Sequence, residues 1–105
     1  MVHHVVDKND FDAKLDEAGD KLVVIDFFAT WCGPCKIIAP YMEELSTTYE
    51  NVVFLKVDVD ENEEIAGEYN VTCMPTFIFV KNKAKVNDFS GANKEKLKEL
   101  VERHM

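Results

Sequence analysis

LVVIDFFATWCGPCKIIAPYMEEL, residues 22–45, sets an apolar run against a pair of cysteines and then changes its period. Residues 22–29 carry one charge, Asp26, among branched and aromatic side chains, the composition of a central strand covered on both faces. Beyond it, Cys35, Ile38, Met42, Leu45 and Tyr49 recur at the spacing of one helical face. Pro40 falls inside that helix and predicts a kink, because proline withholds an internal hydrogen bond. Cys32 and Cys35 thus fall where a strand gives way to a helix.

That junction suits a redox dithiol. With Cys32 at the first turn, unsatisfied backbone N–H groups and roughly half a positive charge from the helix dipole face its sulfur and favour the thiolate. Cys35 lies one turn deeper on the same face, within disulfide reach of Cys32 and more shielded. Cys32 is therefore expected to attack a disulfide and Cys35 to resolve the mixed disulfide that forms. Gly33 adds no bulk beside the nucleophile, and Pro34 suits an early helical position where a missing N–H costs nothing. Neither places a charge near Cys32, so the pair is expected to donate electrons rather than insert disulfides.

Elsewhere the pattern alternates between strands and helices. Residues 2–6 form a short, weak strand, and Phe11, Leu15 and Ala18 then mark a helix that Gly19 ends. Residues 52–59 alternate as a third strand, and Ile65, Ala66 and Tyr69 suggest a short helix. Residues 76–80 and 84–89 read as a hairpin joined through Lys81, Asn82 and Lys83, with Asn82 supplying a positive φ in a turn that has no glycine. Asn93 is placed to cap a last helix whose Leu97, Leu100, Val101 and His104 share a face. Early βαβ units and a closing hairpin predict an α/β fold: a mixed sheet of about five strands flanked by four helices on both faces.

With 105 residues, residues 1–105 are expected to form a single domain, too small for a separate substrate domain, so that partners dock on its surface. A net charge of −8 argues against nucleic acid and against anionic membrane, both of which need a basic face. The N-terminus lacks a targeting pattern, and no stretch approaches the roughly 18 apolar residues of a membrane span. These features predict a cytoplasmic protein; a processed precursor from another compartment is the alternative. The C-x-x-C pair beside a βαβ pattern reads as a redox motif. It is otherwise half of a zinc site, but the remaining candidates Cys73, His3, His4 and His104 are scattered, and no metal is expected. His3 and His4 read as part of a frayed strand, and His104 as packed or solvated.

WCGPC, the preceding Asp26, and the Met74, Pro75 and Thr76 of MPT together resemble the thioredoxin family over almost the whole chain. SGANKEKL near the C-terminus and Cys73 just before MPT are most similar to the small cytosolic members from animals. The resemblance implies the thioredoxin fold and a protein-disulfide reductase that serves electron transport and cell redox homeostasis. It also implies a cis bond before Pro75, which sequence alone does not suggest, since only about one X–Pro bond in twenty is cis. By the same likeness Met74 and Pro75 line a groove for an extended substrate, completed by Trp31, Gly91 and Ala92, with Cys73 on its rim. It implies no bound cofactor, electrons from NADPH through thioredoxin reductase, and clients such as ribonucleotide reductase and peroxiredoxins. The expected protein is a cytoplasmic monomer, with the nucleus as a second compartment.

Several residues carry two readings. Asp26, expensive to bury ionised, should have a raised pKa and exchange a proton with Cys35. Alternatively it is a structural carboxylate paired with Lys56, the cation that would tune its ionisation. Trp31 is either core packing or an exposed apolar contact surface. Cys73 is either a half-buried small hydrophobe or a thiol that links two chains on oxidation. The acidic run Asp58, Asp60, Glu61, Glu63 and Glu64 is read as a solvated face, with partner steering as the alternative. At the level of function, an oxidase or isomerase and a redox-switched binding module stand beside the reductase.

Overall fold

The chain runs β1 (His3–His4), α1 (Lys8–Ala18), β2 (Val23–Phe28), α2 (Gly33–Thr48), β3 (Val53–Asp58), α3 (Glu63–Glu68), β4 (Thr76–Lys81), β5 (Ala84–Ser90) and α4 (Lys94–His104). This is the order in a computed structural model that describes residues 1–105. The sheet order is β1-β3-β2-β4-β5, with β1, β3 and β2 parallel and β4 antiparallel to both β2 and β5. The expected mixed sheet is present, with the apolar β2 at its centre and buried along its whole length.

Local chemistry accounts for the helix ends. The Asp7 carboxylate caps α1 by accepting from the Asp10 N–H, and Gly19 ends it at φ 60°. Asn93 caps α4 by accepting from the Lys96 N–H, as its position predicts. Pro34 lies in the first turn of α2, and Pro40 lies within the helix.

Strand alternation divides the core into two layers. Val23, Ile25 and Phe27 pack with Leu55, Val57, Phe11 and Ile65 on the side of α1 and α3. Leu22 and Val24 pack with Phe54, Phe77, Ile38, Met42 and Leu97 on the side of α2 and α4. Asp26 has the parity of Val24, so its carboxyl points at α2, the helix that carries both cysteines. Lys56 shares this side through the parity of Phe54 and stands opposite Asp26 in the ladder.

Some expectations need correcting. β1 is only two residues long, but it is not frayed. His3 Nε2 lies 2.8 Å from Asp10 Oδ2, Val5 N–H donates to the Lys56 carbonyl, and His4 packs edge-on against Phe28. The acidic run is not wholly solvated either: Asp58 is buried and accepts from the Asp60 N–H at 2.9 Å. In the hairpin both Asn82 (φ 53°) and Lys83 (φ 65°) are left-handed, the geometry of a two-residue turn that follows the twist of its strands. His104 is half-buried beside Phe79, with Nε2 3.2 Å from Asn87 Nδ2, so it packs.

Candidate active site

Cys32 is the N-cap of α2, just beyond the C-terminal end of β2, where crevices of α/β sheets form. Its N–H donates to the Ala29 carbonyl at 3.2 Å, and its own carbonyl accepts from Lys36 N–H at 3.3 Å. The Cys35 N–H donates to Cys32 Sγ at 3.2 Å, so an amide the helix leaves unpaired is aimed at this sulfur. The two cysteines form a disulfide with Cα atoms 5.3 Å apart. Cys35 is the more shielded by little, 4% exposed against 6%. Gly33 and Pro34 are exposed between them.

Beneath the dithiol, Asp26 is 1% exposed, and burial pushes its carboxyl up to about 7 while the charge of Lys56 pulls the other way. Asp26 Oδ1 has no hydrogen-bond partner in the protein. Lys56 Nζ rests over the Phe28 ring, 4.6 Å from its centroid. Two clefts meet at Lys36, Ala39 and Lys56: one of about 220 Å³ reaches Cys35, and the other, of about 400 Å³, reaches Asp26. The carboxyl and the Cys35 side chain therefore line neighbouring clefts that share three wall residues.

On the front of the site, Met74 packs against the cluster of Phe28, Ala29, Cys32 and Cys35, and the Met74–Pro75 bond is cis. Gly91, at φ 102°, donates its N–H to the Pro75 carbonyl at 2.9 Å, which ties the loop of Gly91 and the exposed Ala92 to the Pro75 loop. Trp31 is 68% exposed, which rules out core packing. Its indole N–H donates to Asp60 Oδ2 at 2.9 Å. Asp60, read from the sequence only as part of the acidic run, is the partner of Trp31 that sequence reading missed. Only the parallel register, with Phe28 opposite Asp58, carries the end of β3 towards Trp31, and no local pattern signals that.

Cys73 is an exposed free thiol, not a half-buried hydrophobe, and the hydroxyls of Ser90, Thr76 and Thr72 hold it below its ordinary pKa. The residues a zinc site would need are not gathered: nowhere do three or more His, Cys, Asp or Glu side chains converge to hold a metal ion. No helix is long and apolar enough to cross a membrane.

The family model for thioredoxin matches residues 2–103. The chain is 57% identical to the thioredoxin of Callithrix jacchus and 56% identical to that of Homo sapiens, in each case over 101 residues and 96% of both chains. It superposes on the X-ray structure of Fasciola hepatica thioredoxin with a TM-score of 0.96 at 48% identity, covering 98% of this chain and 99% of that one. The five-stranded mixed sheet and four helices are the thioredoxin fold, and dithiol chemistry of this kind requires no bound cofactor. With the Cys32–Cys35 pair at the mouth of α2, this chain belongs to the thioredoxin family and is a thiol-disulfide oxidoreductase, a protein-disulfide reductase.

Proposed function

We propose that residues 1–105 act as one thioredoxin domain in which Cys32 is the nucleophile and Cys35 the resolving thiol. The Cys32 thiolate attacks one sulfur of a client disulfide, forming a mixed disulfide and expelling the client's other sulfur as a thiolate. Cys35, losing its proton to the Asp26 carboxylate, attacks Cys32 Sγ and releases the second client sulfur. Two electrons have then passed to the client, and the pair is left oxidised. Gly33 and Pro34 keep the site uncharged, and Lys56 tunes Asp26. Trp31, Met74, Pro75, Gly91 and Ala92 receive the client segment, and Cys73 contacts it at the rim.

The observation that carries this reading is the Cys35 N–H aimed at Cys32 Sγ at the start of α2. Electrons come from NADPH through thioredoxin reductase, and the clients include ribonucleotide reductase and peroxiredoxins. The setting is the cytoplasm, with the nucleus as a second compartment, and the working form is the monomer. Cys73, exposed and shifted towards thiolate by neighbouring hydroxyls, forms an intermolecular disulfide under oxidising conditions. A covalent dimer that persists in Cys73→Ser would count against that link.

The reductase is tested in an insulin-reduction assay supplied with NADPH and thioredoxin reductase. Cys32→Ser should abolish turnover, and Cys35→Ser should accumulate mixed disulfides between Cys32 and its clients. Turnover in Cys32→Ser, or no captured client in Cys35→Ser, would overturn the assignment.

A further inference from the structure

The cleft that reaches Asp26 has an unusual wall. Besides Lys36, Pro40 and Glu43 of α2 and Lys56 of β3, it is lined by Val2, which precedes β1. Val2 is held there in two ways: its N–H donates to Glu43 Oε1 at 3.1 Å, and its side chain packs against the core layer that includes Ile38 and Met42 of α2. The next residues are fixed separately, through His3 on Asp10 and Val5 on the Lys56 carbonyl. Glu43 therefore fixes the backbone of Val2 over the cleft, while packing holds its side chain. Asp26 lines the same cleft, and its Oδ1 is buried with no hydrogen-bond partner in the protein.

We propose that Glu43 is a positioning residue: by holding the Val2 N–H it keeps the N-terminal segment as one wall of the Asp26 cleft and limits the access of water to that carboxyl. This deepens the proton-transfer reading given above and rests on it for its functional consequence. Lys56 on β3 and Lys36 and Glu43 on α2 line the cleft with Asp26, Cys35 lines the adjoining cleft, and the neutral Phe77 stands opposite Asp26 on β4. His4 on β1 lies beside Lys56. Burial is the larger cause of the carboxyl's displacement, so admitting water should bring it back towards the ordinary range.

The test is a ¹³C NMR titration of the Asp26 carboxyl in the oxidised full chain, where neither active-site cysteine titrates. Glu43→Ala removes both the acceptor and its charge, Glu43→Gln removes only the charge, and Val2→Pro removes the donor, with Val2→Ala, which keeps the N–H but loses the packed side chain, as its control. Glu43→Ala and Val2→Pro should each lower the Asp26 midpoint by about one unit, with Glu43→Gln close to wild type. The pH profile of mixed-disulfide resolution in Glu43→Ala should move down with it. A wild-type midpoint in Val2→Pro, or equal shifts in Glu43→Gln and Glu43→Ala, overturns the proposal. Failure of the proton-transfer reading is seen separately, as unchanged resolution in Asp26→Asn.

Discussion

Asp26 is the residue whose environment departs furthest from what its side chain prefers. Its carboxyl is ordinary in the unfolded chain and raised to about 7 in the fold, so between roughly pH 4 and pH 7 the native state holds a proton that the unfolded state has lost. Stability from this group is thus fully present below pH 4 and lost as pH rises through 7. The displacement corresponds to about 4 kcal/mol. In urea unfolding at a series of pH values, Asp26→Asn should gain on the wild type by that order between pH 4 and pH 8; a pH-independent difference would contradict the raised value. The same substitution should slow release of a client from Cys32 by roughly a hundredfold, read as decay of the mixed disulfide near neutral pH. A raised pKa follows from sequence alone, since a lone Asp in an apolar strand will be desolvated. The neighbouring clefts that Asp26 and Cys35 line do not, because they depend on how α2 lies across the sheet.

At the scale of elements, most of what the chain does is written in short-range signals. Asn93 caps α4 from the position the pattern indicates, Asp7 caps α1 in the same way, and Cys32 takes that place on α2 with a sulfur instead of an oxygen. The hairpin is the exception. Asn82 tolerates its left-handed backbone, but Lys83 adopts one too, at a cost that a β-carbon imposes and glycine avoids. Lys83→Gly should therefore stabilise the protein by about 0.5 kcal/mol in equilibrium unfolding. The exposed Lys83–Asp16 ion pair it removes contributes little. A destabilised variant would mean that the ion pair outweighs the backbone. The acidic stretch misread as solvated shows the opposite case: one-letter polarity cannot distinguish the buried Asp58 from its exposed neighbours, because register alone sends it inward.

Across the whole molecule, the two core layers hold the sheet while the chemistry lies at the ends of its central strands. Phe77, fully buried opposite Asp26 and stacked on Phe89 at 5.1 Å, joins β4 and β5 to the layer beneath α2 and α4. Phe77→Ala should cost about 3–5 kcal/mol by denaturant unfolding, with no change in which cysteine attacks. A loss below 1 kcal/mol would mean that the core collapses around the site. The sequence by itself determined the order of strands and helices, the dithiol at a strand-to-helix junction and the acid buried below it. Each of these depends on neighbours within a turn or on a period of two or 3.6 residues. Only the tertiary structure decided that Asp60 holds Trp31, that Gly91 bonds to the cis-Pro75 loop, and that Val2 walls the Asp26 cleft. Periodicity tells which face a side chain occupies; its partner across the sheet is chosen by register and crossover, which no local pattern contains.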